Sequence, residues 1–155
     1  MISVRLATHS DVGQLLRLRD VGIGELLTRK GGPRWQAVEG AWLTRLTHDN
    51  LAEMIAGRSD DPHLVLLGCI GDVPVAAAAV TSTGDRTVLS ALYTSPRARG
   101  VGVGHAVISH VAVLAEDAGH STLDSVALPG DRETKNFFEA HGMVSRLLTV
   151  SRRLG

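Results

Sequence analysis

Between Arg99 and Ala106 the chain sets glycines at three alternate positions, Gly100, Gly102 and Gly104, directly ahead of a strongly apolar run. Glycine lets a backbone approach a ligand closely and adopt angles that a Cβ forbids. Ala106, Val107, Ile108, Val111, Ala112, Leu114 and Ala115 then recur at helical spacing. A helix predicted over Gly102 to Ala118 is apolar enough to require burial against a sheet. A strand predicted over Thr87 to Thr94 feeds the loop from the other side. The helix N-terminus therefore turns unpaired N–H groups, and a dipole worth roughly 0.3–1 kcal/mol to an anion, toward the loop. A diphosphate fits such a place. Arg97 and Arg99 add positive charge, and arginine can bind phosphate oxygens in bidentate fashion. A tight strand-to-helix turn with two solvated arginines is the alternative.

Phosphate recognition of this kind must be local, because 16 basic residues balance 16 acidic ones over the 155 positions. No net field steers the chain toward nucleic acid or an anionic membrane, and neither is expected as a partner. With 44% apolar and 21% charged residues the chain reads as globular, and its length suits one domain over residues 1–155. Its single cysteine, Cys69, cannot form an internal disulfide and lies in an apolar run, which suits a core position and a reducing, cytoplasmic home. The opening Met1-Ile2-Ser3-Val4-Arg5 does not read as a signal peptide. The longest apolar stretch, Leu64 to Val80, is broken by Gly68, Gly71, Asp72 and Pro74, so it predicts two strands and a turn rather than a membrane span. The histidines are scattered. His105 and His110 point to different sides of one helix, and no metal site is expected.

Along the chain, Ile2 to Ala7 alternates as a half-buried strand and ends in the cap types Thr8, His9, Ser10 and Asp11. A helix follows to near Lys30, burying Leu15, Leu16, Leu18 and Leu26 and weakened by Gly13, Gly22 and Gly24. Lys30 to Arg34 predicts a loop, within a mobile-looking stretch from Thr28 to Trp35. Two or three helices then use Val38, Trp42, Leu43, Leu46, Leu51, Met54 and Ile55. Leu64–Ile70 and Val75–Val80 form an antiparallel hairpin, and a turn over Thr81–Arg86 leads into the Thr87 strand. Beyond the glycine loop and its helix come a strand over Ser121–Ala127, a turn at Leu128-Pro129-Gly130, a helix over Asp131–His141 and a final strand around Val144–Ser151. That order is α+β with a late strand-helix-strand unit.

Which phosphate ligand the loop takes is narrowed by what is missing. A P-loop needs Gly-Lys-Ser/Thr, which is absent. The dinucleotide fingerprint fits at Gly100 and Gly102 and would find an acid at Asp124, but its third glycine position is His105. Ser95 to Arg99 also separates strand from glycines, and the loop follows an antiparallel hairpin rather than opening a parallel sheet. Arg99-Gly100-Val101-Gly102-Val103-Gly104 resembles instead the R/Q-x-x-G-x-G/A signature of GNAT acetyltransferases, and Leu92 to Pro96 resembles the strand and proline that precede it. Asn136-Phe137-Phe138-Glu139-Ala140-His141-Gly142-Met143 is similar to that family's F-Y-E-x-x-G-F helix end. Arg5-Leu6-Ala7-Thr8 with Asp11 resembles its opening.

The resemblance implies a three-layer fold with a mixed, mostly antiparallel central sheet, flanked by helices, whose splayed parallel pair holds coenzyme A. It implies acetyl-CoA as co-substrate and direct transfer of the acetyl group to a primary amine. The N–H groups from Arg99 through Gly100, Val101, Gly102 and Val103 to Gly104 would bind pyrophosphate, with Arg97 and His105 also among the cofactor-binding residues. Leu92, Tyr93 and Thr94 would line the pantetheine, and a nearby N–H would polarise the thioester carbonyl. Asp131 stands where the family often has an asparagine that contacts the cofactor. Phe138 stands where many relatives have a tyrosine that protonates the departing thiolate, a task phenylalanine cannot perform. Tyr93 is an alternative acid, or packing. A thiol with a pKa near 8.5 leaves without much help, but an alkylamine of pKa about 10.4 is only about one part in a few thousand neutral at pH 7, and no base is nominated beyond Asp124, itself open to a strand-end role. The acceptor is expected to be a small amine with a hydrophobic body; Trp35 is the candidate for a wall of its pocket, with packing as the alternative, and Trp42 is placed in the core. A homodimer is an open assembly, and a catalytically weak or inactive acyl-CoA sensor of the same fold is the rival reading.

Overall fold

The computed structural model describes residues 1–155. Five strands, β1 (Ile2–Leu6), β2 (Leu64–Ile70), β3 (Val73–Thr83), β4 (Arg86–Thr94) and β5 (Thr122–Asp124), form one sheet in that order. The first three pairings are antiparallel and the last, β4 with β5, is parallel. This is the mixed sheet with one parallel pair that the family resemblance implies.

Alternation along β2 explains the layers. Leu66 points to one face with Ala76, Ala78, Val80 and Leu89, while Leu67 and Cys69 point to the other. Helix α5 (Val103–Asp117) covers the first face with Val103, Val107, Ile108 and Val111, all buried. Each of those side chains contributes roughly 1.5–3 kcal/mol on leaving water. It can lie close because residue 68 is glycine: a Cβ there would stand 2.6 Å from Val103 Cγ1. The opposite face is covered by α1 (Val12–Leu27), through Val12 and Leu15, and by α4 (His48–Ile55), through Leu51 and Met54. Cys69 is buried in this second core, as its apolar setting suggests. Two short helices, α2 (Gly32–Ala37) and α3 (Ala41–Thr44), lie between, and α6 (Arg132–Glu139) follows β5. No helix is long and apolar enough to cross a membrane.

Several boundaries depart from expectation. The loop over 30–34 is cut short because α2 already begins at Gly32, with Pro33 in its first turn, where a missing N–H costs nothing. Trp35 is thus helical rather than part of a loop, and Val38 is exposed. Strand β5 spans only Thr122–Asp124 and not Ser121–Ala127. The final strand expected around Val144–Ser151 does not form: residues 144–151 pair with no strand, and Leu147 and Leu148 are 90% and 71% exposed. Two adjacent leucines break the period-2 alternation that would bury one face, and a three-residue β5 offers little to pair with.

Candidate active site

Strands β4 and β5 pair only from Arg86 to Val88 against Thr122 to Asp124. Beyond that they part. One cause is a bulge: Val80 pairs with Leu89 and Ala79 with Ala91, so Ser90 is an extra residue that bends β4. Ser125 Oγ donates to Leu89 O at 2.8 Å, pinning the point of divergence. The remaining length of β4 has lost a neighbour on that side, so alternate backbone N–H and C=O groups face a gap.

The gap opens into a cavity of about 740 Å³ that runs from the glycine loop, past Leu92, Tyr93 and Thr94, to α1, α2 and α3. At the loop end Gly100 and Gly102 adopt φ of +80° and +96°, angles a Cβ resists. Gly104 does not need such an angle; a Cβ there would instead meet the Phe137 ring at 3.4 Å. Gly102 caps α5, whose first closing bond runs from Ala106 N to Gly102 O at 3.0 Å. The N–H groups of Val103, Gly104 and His105 have no backbone acceptor and stand at the cavity wall, an anion-binding arrangement at the positive end of a fifteen-residue helix.

Most of the expected site residues line this one cavity: Leu92, Tyr93, Thr94, Arg99, Gly100, Val101, Gly102, Val103, Gly104, His105, Asp131 and Phe138. Arg97 does not; it is exposed on the short 3-10 turn Pro96–Ala98. Asp131 has work other than a cofactor contact. It caps α6 by accepting from Thr134 N at 3.2 Å and Thr134 Oγ1 at 2.8 Å, and pairs with Arg29 at 3.3 Å. Asp124 accepts from Arg86 Nη1 at 2.8 Å and lies outside the cavity, so it is the strand-end partner rather than a base aimed at the gap. Phe138 stands against Phe137 with ring centroids 5.6 Å apart, and it has no proton to give.

Tyr93 alternates to the face opposite Leu92, and its ring lies on α1 at Gly22. Its hydroxyl donates to Glu25 Oε1 at 3.1 Å, while Arg99 Nη2 donates to Glu25 Oε2 at 2.8 Å and Arg99 Nε to Thr94 O at 3.0 Å. The guanidinium also sits 5.4 Å over the Tyr93 ring. Burial pushes the Glu25 carboxyl upward, but hydrogen bonds from Arg99 and Tyr93 outweigh it and hold the group below its usual range. Burial and the Glu25 charge push the Tyr93 hydroxyl up, which makes it a reluctant anion. Glu25 escaped the sequence reading because nothing local marks it: its partners lie 68 and 74 residues away.

The far end of the cavity is mostly apolar, walled by Leu15, Leu18, Leu43, Leu46 and both tryptophans, with Arg19 held against the Leu43 and Leu46 carbonyls. Trp35 rests its ring on Gly40, where a Cβ would come within 2.5 Å. Trp42, expected in the core, stacks on His63 at 3.8 Å between centroids and also reaches the cavity.

The model of the acetyltransferase (GNAT) family matches residues 33–143, most of the chain. Solved structures with the same fold include the N-acetyltransferase PaiA from Thermoplasma acidophilum in complex with coenzyme A, at TM-score 0.72 and 12% identity over 91% of this chain and 88% of that one. They also include a ribosomal-protein-alanine N-acetyltransferase from Brucella melitensis biovar Abortus 2308, at 0.67 and 15% over 100% of both. AAC(6′)-Iy in complex with a CoA-linked acetylneamine bisubstrate analogue superposes at 0.67 and 14% over 99% of both. At these identities the likeness is one of fold. No curated protein matches the chain.

Proposed function

The chain belongs to the GNAT acetyltransferase family, and from that premise we propose that it transfers the acetyl group of acetyl-CoA directly to the primary amine of a small molecule. The family and the fold it shares with coenzyme A complexes make it an acetyl-CoA-dependent N-acetyltransferase. The observation that carries the reading is the parting of β4 from β5 beside the unpaired N–H groups of Val103, Gly104 and His105. A diphosphate suits those donors, and the free edge of β4 suits the amides of pantetheine, as two halves of one elongated ligand.

In the reaction the neutral amine's lone pair forms the C–N bond and the C–S electron pair leaves with sulfur. One amine proton has gone to water beforehand; the second is lost from the acylated nitrogen to sulfur or water. With Phe138 unable to donate and the Tyr93 hydroxyl committed to Glu25, neither of these two aromatic residues protonates the departing sulfur, and the low basicity of a thiolate has to suffice. This chain's contribution is then to bind, orient and exclude water, which for two well-placed reactants supplies much of a rate enhancement. The apolar wall of Leu15, Leu18, Leu43, Leu46, Trp35 and Trp42 favours an acceptor with a hydrophobic body over a polycation.

Thiol release from acetyl-CoA, followed across a panel of amines, tests the reading. Amine-dependent release, selective for apolar-bodied amines, is expected. Tight coenzyme binding with no amine-dependent release from any member would favour a sensor.

A further inference from the structure

The cavity holds three carboxylates, and only one is placed for the acceptor. Asp131 is consumed by the α6 cap and Arg29. Glu133 lies exposed on α6, beside the loop end. Glu25 stands on α1, on the side of the sheet that carries Leu15, Leu18 and the tryptophan wall. Among the cavity's cations, Arg19 spends Nη1 on Leu43 O at 3.2 Å and Leu46 O at 2.6 Å, and Nε on Asp20. Arg29 pairs with Asp131. The cation that compensates Glu25 at contact distance is therefore Arg99.

Arg99 opens the glycine loop, so the group that neutralises Glu25 also stands where a diphosphate would arrive. A diphosphate offers several charged oxygens, which a guanidinium engages in bidentate fashion, against the single oxygen Arg99 takes from Glu25. When Arg99 turns to it, Glu25 keeps the Tyr93 hydroxyl and the more distant charge of Arg29 but loses its contact ion pair. A half-buried carboxylate freed in that way, with one oxygen no longer bonded, is open to another cation.

Resting on the acetyl-transfer reading above, we infer that Glu25 is the anchor for the acceptor's ammonium group, and that Arg99 blocks it until coenzyme A binds. The acceptor class is thereby narrowed to an alkylammonium with an apolar body, and binding is ordered, coenzyme before amine. Glu25 is a recognition group; the ammonium is drawn in as a cation and loses its proton to water before attack.

Both tryptophans line the chamber, and the chain has no others, so their fluorescence reports its occupancy. The experiment titrates 2-phenylethylamine and its neutral isostere 2-phenylethanol into the wild type, Glu25→Gln and Arg99→Met, each with and without saturating coenzyme A. Coenzyme binding is measured separately by calorimetry. In the loaded wild type the amine is expected to bind roughly tenfold tighter than the alcohol, the scale of one charge-assisted hydrogen bond. Without coenzyme A the preference should shrink several-fold. Glu25→Gln should abolish it while leaving alcohol binding unchanged, a result that loss of fold would not give. Arg99→Met should show the preference without coenzyme A. Equal binding of amine and alcohol by the loaded wild type, or a preference that survives in Glu25→Gln, overturns the anchor while leaving acetyl transfer standing. Failure of coenzyme A to bind the wild type overturns the acetyl-transfer reading and the binding order with it.

Discussion

Of the three glycines in helix α1, Gly22 and Gly24 stand two positions apart and face different surroundings. An alanine at 22 would put its Cβ 2.9 Å from Tyr93 Cδ2 and 3.0 Å from Tyr93 Cγ, whereas at 24 it would meet nothing within 4 Å. Neither glycine has a positive φ, so both replacements gain the same helix propensity, about 0.8–1 kcal/mol. Gly24→Ala should therefore stabilise by about that amount. Gly22→Ala must also displace a half-buried ring at its root, where it cannot swing aside, and overpacking of that kind costs about 1–3 kcal/mol. Its net effect should run from neutral to about 2 kcal/mol destabilising. The gap between the two variants, about 1–3 kcal/mol, should appear as roughly 2–4 °C in Tm per kcal/mol for a chain of this size. Displacing Tyr93 should also disturb its bond to Glu25, so Gly22→Ala, and not Gly24→Ala, should raise KM for the amine. Thermal melts and steady-state kinetics on the pair decide the matter. Equal stabilisation by both alanines would refute the claim that Gly22 exists to let α1 approach β4.

Two other outcomes are expected. Asp11 is buried beneath Arg5, whose bidentate bonds at 2.7 and 3.0 Å hold its carboxyl at about 2 against an ordinary 3.8. Its folded value being the lower, the stability it lends, about 2 kcal/mol at neutral pH, is present above about pH 4 and is lost as pH falls toward 2; urea unfolding at pH 7 and pH 3 should show a loss that Asp11→Asn does not share. Trp35→Ala should raise KM for an apolar-bodied amine several-fold with coenzyme affinity unchanged, and unchanged KM and kcat would remove Trp35 from the acceptor wall.

What the sequence made legible follows from how local each signal is. Gly100 and Gly102, the apolar run of α5 and the hairpin Leu64–Val80 are short-range patterns with one physical reading, and the structure has them as helix cap, buried helix and adjacent strands. The parting of β4 and β5 hangs on a bulge at Ser90, which no turn residue announces. Asp131 is marked by its place in the family's pattern, whereas its pairing with Arg29, far earlier in the chain, is visible only in the fold. Trp42 shares its apolar spacing with core residues and is distinguished only by the His63 ring it stacks on. Glu25 is the plainest instance: a charged residue on an amphipathic helix until Tyr93 and Arg99 are folded against it. The final strand failed in the opposite sense, since β-branched and apolar residues at 144–151 suggest a strand but the sheet has only three residues of β5 at that edge.

Gly104→Glu probes most directly whether the N-terminus of α5 is the seat of coenzyme A pyrophosphate. Position 104 has no positive φ to strain and its side chain would point toward Phe137 and Thr94, so the variant should fold, which a thermal melt checks. Its carboxylate would stand among the N–H groups of Val103, Gly104 and His105 and repel a diphosphate. Calorimetric titration with coenzyme A should give saturable binding to the wild type and at least roughly tenfold weaker binding to the folded variant, the scale of one misplaced charge. Equal affinities would contradict the site.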